Sequence, residues 1–303
     1  MSDKLVKLHF PEKSCRAQVL HLDQAFSRMI EHQDLPAVVK RLLGELTAAA
    51  VMLAAGLKFK GALVVQLQGD GPVKLALVEV RTGLLVRATA QLRVPAEAVS
   101  DTADFKSLVN ASGNGRCAVI LDMDARPAGE QPYQGVVPLT GETVAQTLES
   151  FMTQSEQLPT RLWLAAGEDA VGGVMLQHVA STGGIQSNKP VDPEGFEHLT
   201  AFASTVKAEE LLTLEADEVA RRLFWEDNPT VLETLSPVFA CKCSREGIEK
   251  ILRDLGREEV EDMIAQEAKI DVRCEFCGRH YVFDAIDAAA LFTGPGAVDR
   301  TVN

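Results

Sequence analysis

Aromatic residues are scarce in this 303-residue chain: they make up 5% of it, with only two tryptophans and two tyrosines. Its core therefore has to be aliphatic, built from Leu, Val and Ala. Positive charge is also in short supply. Against 43 Asp and Glu stand 30 Lys and Arg, a net charge of -13. That balance excludes a nucleic-acid partner, because phosphate binding needs clustered cations to displace counterions, and it suits a protein that stays monodisperse at high concentration. No apolar run is long enough for a bilayer. The longest covers residues 46–57 and contains Thr47, well short of the roughly 20 residues a spanning helix needs. Met1-Ser2-Asp3-Lys4 leads into a mixed segment without the apolar stretch of a signal peptide, so a cytoplasmic location without a membrane partner is expected. Gly-x-Ser-x-Gly, His-Glu-x-x-His and paired His/Asp constellations are all missing, and no enzyme is expected. Gly69-Asp70-Gly71 lacks the Lys-Ser/Thr and following helix of a phosphate loop and reads as a hairpin turn.

What the chain does have is an uneven set of six cysteines. Cys15 and Cys117 are isolated, whereas Cys241-Lys242-Cys243 and Cys274-Glu275-Phe276-Cys277 form two tight pairs. In a reducing compartment such clusters read as metal-binding or redox-active before they read as structural disulfides. Four thiolates suit one Zn2+ in a closed tetrahedron with no open position for a substrate. The first pair is unusual, with one residue between the cysteines where a zinc ribbon carries two. A disulfide within Cys-x-Cys closes a very small, strained ring that is readily reduced again. Lys242, Arg245, Arg273 and Arg279 lie close by in sequence, and cations of this kind both lower thiol pKa values and compensate a zinc tetrathiolate. His280 reads as a surface residue because four thiolates already complete the site. His9, His21, His32, His178 and His198 show no ligand spacing.

Periodicity and breakers give the organisation. Asp34-Leu35-Pro36 starts a strong helix that runs to Gly56. Residues 62–67 and 73–80 form a hairpin, 84–92 and 116–122 a further strand pair, and 101–115 a polar loop. Strands are expected at 132–139, 162–166 and 173–179, and a helix at 143–152. The Gly-, Ser-, Asn- and Pro-rich residues 181–195 mark a domain boundary. Residues 195–235 then read as acidic amphipathic helix broken at Asn228-Pro229, dense enough in carboxylate for its docking to be marginal. Helices at 245–255, capped by Ser244, and 258–267, with a hairpin of 270–273 and 281–283, complete a small unit around the paired cysteines. The fold class is α+β: an N-terminal mixed α/β domain (1–182), a metastable helical linker (183–236), a small C-terminal zinc-binding domain (237–292) and a disordered tail (293–303).

Several stretches carry a likeness to a known family. They are Phe239-Ala240-Cys241-Lys242-Cys243-Ser244-Arg245-Glu246, Leu255-Gly256-Arg257-Glu258-Glu259, Val272-Arg273-Cys274-Glu275-Phe276-Cys277 and Tyr281-Val282-Phe283-Asp284. Upstream they are joined by Leu35-Pro36-Ala37-Val38, Leu67-Gln68-Gly69-Asp70-Gly71-Pro72, Tyr133-Gln134-Gly135-Val136-Val137 and Ser155-Glu156-Gln157-Leu158-Pro159-Thr160-Arg161. In this order, over nearly the whole chain, they closely resemble the heat shock protein 33 family of redox-regulated chaperones. Gly247 departs from the pattern, standing where family members more often carry a better helix former. The resemblance implies an ATP-independent holdase. Reduced Cys241, Cys243, Cys274 and Cys277 would bind one zinc and keep the chaperone quiet. Oxidation to Cys241–Cys243 and Cys274–Cys277 disulfides would expel the metal, unfold the zinc domain and then the linker, and expose apolar surface to unfolded or oxidatively damaged clients. The active form would be a homodimer built through the N-terminal domain. The alternative is a zinc-ribbon interaction module with a purely structural metal. A thiol oxidoreductase ranks below both, because no Cys-x-x-Cys stands at a strand-to-helix junction.

Overall fold

A computed structural model describes residues 2–125, 129–179 and 192–293. By its internal contacts the chain divides into two units, Met1–Ala240 and Cys241–Asn303. The first begins with β1 (Lys4–Phe10), β2 (Cys15–Leu22), α1 (Gln24–Ile30) and α2 (Ala37–Gly56). It continues through β3 (Gly61–Gln68), β4 (Val73–Arg81), β5 (Leu85–Leu92), α3 (Phe105–Val109), β6 (Arg116–Met123), β7 (Tyr133–Pro138), α4 (Val144–Gln154), β8 (Thr160–Ala166) and β9 (Val171–His178). Then come α5 (Gly195–Ala203), α6 (Ala208–Thr213), α7 (Ala216–Phe224), β10 (Thr230–Leu235) and β11 (Val238–Phe239). One sheet has the strand order β10-β1-β2-β9-β8 and the other β11-β5-β4-β3-β6-β7. The second unit holds α8 (Arg245–Leu255), α9 (Arg257–Glu267), the hairpin of β12 (Ile270–Arg273) and β13 (His280–Phe283), and α10 (Ala285–Leu291). The fold is α+β, as expected.

α2 lies against strands of both sheets and is buried almost all round, the signature of a helix that forms a core rather than capping one. Gly44 makes that position accessible: a Cβ there would fall 2.7 Å from Ala166 and Val171. One carboxyl of α2 is half-buried at the border of this core. Burial pushes the Glu45 carboxyl up from 4.5 to about 7, against the opposing pull of Arg41. Between those values the unfolded chain has released a proton that the folded protein keeps, so stability falls as pH rises through that window. Glu45→Gln is therefore expected to melt with the parent at pH 4 and above it at pH 8, by on the order of 1–3 kcal/mol. Thermal denaturation at the two pH values checks this, and equal melting of both proteins at pH 8 refutes it.

The outer face of the five-stranded sheet is covered by α5, α6 and α7. Val6, Leu8, Phe10, Val19, Val174 and Leu176 meet Leu199, Leu211, Val219, Leu223 and Phe224 in one apolar cluster. Phe10 and Phe224 stack edge to face at 5.3 Å. Gly172 approaches α6 so closely that a Cβ would sit 2.2 Å from the Leu211 carbonyl, to which His21 donates from Nδ1 at 3.1 Å. Asp227 is largely buried, its side chain 7% exposed and paired with Lys13 (3.2 Å), whereas Asp217 and Glu218 lie toward solvent and pair with Lys4 (2.5 Å) and Arg222 (2.8 Å). Exposed pairs of this type contribute at most about 1 kcal/mol each, so the cover is held by its apolar stripe.

Four local readings change. Residues 84–92 and 116–122 are both strands but do not pair: β5 lies beside β4, while β6 lies between β3 and β7. The polar loop contains α3, started by Asp104, whose carboxylate accepts from the Ser107 amide. The segment 195–235 is three helices followed by a strand, β10, rather than helix throughout. β1 and β2 are strands where no element was expected, although Val6-Lys7-Leu8-His9-Phe10 and Cys15-Arg16-Ala17-Gln18-Val19 alternate with the strand period. The boundary expected at 181–195 falls mostly, and the tail beyond 293 wholly, outside the described residues. Among those residues no helix is long and apolar enough to cross a membrane.

Candidate metal centre

Cys241 and Cys243 sit in the extended segment before α8, and Cys274 and Cys277 in the turn between β12 and β13. Ser244 caps α8 by accepting from the Gly247 amide at 3.1 Å. The donor is the main-chain amide, so the cap forms whatever side chain stands at position 247. The β12–β13 turn is closed by the Cys274 amide donating to the Arg279 carbonyl (2.9 Å) and the Gly278 amide donating to the Cys274 carbonyl (2.8 Å). Gly278 has φ +67°, a conformation that side-chain-bearing residues resist.

This folding gathers the four sulfurs. All are free thiols, partly buried, and their Sγ atoms lie within 4.8 Å of one another. Cys241 and Cys274 are 3.7 Å apart, Cys243 and Cys277 3.3 Å. Tetrahedral zinc with bonds of about 2.3 Å would set its sulfurs about 3.8 Å apart. The donor set fits such an ion in spacing and in softness. His280 stays outside it, bonded through Nδ1 to Asp271 at 2.8 Å. Cys15 and Cys117 are buried elsewhere, and burial pushes each thiol up to about 12.

The electrostatics are less uniform than the basic neighbourhood suggests. Burial raises Cys277 to about 12 and also raises Cys241. Burial works against Cys243 too, but hydrogen bonds from Tyr281 and the other cysteines overcome it and bring that thiol down to about 7. Arg279 bonds the Tyr281 hydroxyl and lies toward the Cys243 and Cys277 sulfurs. Arg245 does not take the place expected for it: its guanidinium lies 4.2 Å from the centre of the Phe283 ring and pairs with Asp287 at 2.8 Å. Tyr281 is the residue that sequence reasoning passed over. Its hydroxyl is buried and faces the Cys243 sulfur, which raises the phenol, while Arg279 beside it works the other way. The signal for it is a lone tyrosine four residues after Cys277 on a two-residue alternation.

The sulfurs hold together a thin core. Leu252, Val260, Ile270, Tyr281, Phe283, Ala288 and Leu291 are its buried members, too few for an independent domain without a staple.

Known proteins resemble this chain over nearly its whole length. The family model described as "Hsp33 protein" matches residues 3–284. The chain belongs to the Hsp33 family. Among its relatives, the 33 kDa chaperonin of Serratia proteamaculans is 40% identical, over 96% of each chain. That of Methylobacillus flagellatus is 39% identical, over 97% of this chain and 95% of its own. The crystal structure of the 33 kDa chaperonin of Thermotoga maritima, a heat shock protein 33 homologue, shares the fold with a TM-score of 0.79. It is 22% identical, with 96% of this chain and 98% of that one covered. Hsp33 membership supports a chaperone role for the chain.

Proposed function

We propose that this chain is a redox-regulated, ATP-independent holdase, quiet while four thiolates hold one zinc ion and competent to capture unfolding proteins after their oxidation. The observation that carries this reading is the pairing, in one chain, of a thiol-stapled unit of thin core with helices that cover an apolar sheet face. Cys241, Cys243, Cys274 and Cys277 would hold the ion, which when bound supplies folding free energy on the order of 10 kcal/mol or more. Peroxide takes two electrons from each thiol pair, leaves as water, and yields the Cys241–Cys243 and Cys274–Cys277 disulfides. Sulfurs joined in this way no longer carry the thiolate charge that retains the ion. Residues 237–292 then lose structure, followed by the linker 183–236, and Val6, Leu8, Phe10, Val174 and Leu176 become available to unfolded or oxidatively damaged clients. The N-terminal domain (1–182) serves both client binding and dimerisation of the oxidised form, in the cytoplasm, where thiols are kept reduced until stress.

The test compares zinc-loaded reduced protein with peroxide-treated protein in the presence of a heat-denaturing client. Light scattering should fall only in the oxidised sample, in step with zinc release. Metal that resists mild peroxide, with client binding independent of redox state, would favour a structural zinc ribbon instead. Zinc release without suppression of aggregation sinks the holdase reading.

A further inference from the structure

β10 occupies the edge of the five-stranded sheet in an unusual manner. It is the one strand of that sheet with no buried residue. Val231 and Leu232 are 58% and 42% exposed. The ladder with β1 shifts register between Lys7 and Leu8, which face Glu233 and Val231, so Leu232 is left without a partner. A bulge of this type breaks the hydrogen-bond ladder locally. β10 therefore adheres to β1 through its main chain, helped by the Lys7–Glu233 ion pair at 3.2 Å, with few demands on its side chains. Its anchors are also weak. On one side it follows α7 and the Trp225–Asp227 turn, and on the other only β11, two residues paired with β5, separates it from Cys241.

β1 is different. Its Val6, Leu8 and Phe10 belong to the apolar face that α7 covers, and its inner neighbour β2 holds it in unbroken register. Removal of α7 and β10 together would open a strand edge that borders an apolar face. An exposed edge of this kind is a template for another extended chain.

We propose that β10 is a placeholder, and that in the activated protein the β1 edge takes an extended segment of an unfolding protein as an added antiparallel strand. Main-chain hydrogen bonds give the attachment and make it tolerant of sequence. Every second side chain of the added strand falls beside Val6, Leu8 and Phe10, as Thr234 and Val231 do now opposite Val6 and Leu8. The favoured partner is thus a β-prone segment of alternating apolar residues, the pattern of a strand that has lost its sheet. This inference rests on the redox-activated reading above.

Hydrogen exchange on the full chain tests it in three states: reduced with zinc, oxidised, and oxidised with reduced, carboxymethylated α-lactalbumin. That probe is unfolded and acidic, so charge attraction to this acidic chain plays no part. Those amides of residues 4–10 that point toward β10 rather than β2 should exchange at least about tenfold faster after oxidation, and return to within about threefold of their first rate with the probe, while residues 230–235 stay open. Protection of β1 that persists through oxidation, or openness that persists with the probe bound, overturns the proposal. So does joint recovery of β1 and β10, which means that β10 has re-paired. Recovery of β1 without probe, rising with protein concentration, assigns the edge to a second copy of the chain and overturns it as well. Gel filtration of the same samples separates the two levels: an oxidised protein that does not bind the probe overturns the holdase reading itself, whereas binding with β1 open overturns only strand addition.

Discussion

A strong chelator added to the reduced protein is expected to unfold residues 241–293 and leave the β-rich unit folded. Seven buried residues form the core of that segment. Its strands β12 and β13 have four residues each, and α8 and α9 eleven, lengths at which isolated helices and hairpins are marginal in water. Metal binding in such units contributes on the order of 10 kcal/mol or more, comparable to the whole stability of an ordinary domain, about 5–15 kcal/mol. Cys274→Ser should reproduce the effect without chelator, because three thiolates leave the set incomplete. Hydrogen exchange and limited proteolysis give the readout: fast exchange and cleavage within 241–293, with protection in β3, β4 and β9 unchanged. Survival of the segment after complete metal removal would show that its apolar core suffices and would remove the physical basis of a thiol switch.

Phe224→Ala is expected to release α5–α7 from the sheet without any oxidant. The ring is fully buried, meets Phe10 edge to face, and is the largest fully buried side chain that α5–α7 contribute to that interface. Its loss costs about 3–5 kcal/mol, while the exposed ion pairs that remain return at most about 1 kcal/mol each. The cover is therefore expected to lift while zinc stays in place, so that the variant suppresses client aggregation in its reduced state. Metal content, exchange in residues 195–227 and light scattering are measured on the same preparation. Unchanged exchange in the helices, or capture that still requires peroxide, rules out this cover as the restraint. A variant that lost zinc would fail in a different way, through coupling between the units.

Much of this architecture is legible without coordinates where the deciding interactions are local. The limits of α2, the cap of α8, the hairpin of β3 and β4 and the turn between β12 and β13 each follow from residues a few positions apart. The amphipathic stripe through Leu211, Val219, Leu223 and Phe224 is visible too, because one face repeats with the helical period. Arg245 illustrates the limit. Its position two residues after Cys243 suggests a charge beside sulfur, but the helix turns it toward Phe283 and Asp287. The Tyr281 hydroxyl acquires its meaning from Cys243, 38 positions earlier, because α8 and the hairpin fold back on each other.

By itself, the sequence determined the chemistry: two closely spaced cysteine pairs, an acidic amphipathic segment before them, and an aliphatic core. Ligand type and helical period are properties of neighbouring residues, and neighbours survive in any conformation. The tertiary structure alone decided which surface the acidic helices cover and which strand closes the β1 edge. Those choices pair residues 4–10 with residues 230–235, and they rest on burial and main-chain hydrogen bonds summed over the finished sheet. Such terms have no counterpart in local spacing. They explain why β10, unremarkable as a run of six residues, proves to be the weakest-seated strand of the five-stranded sheet.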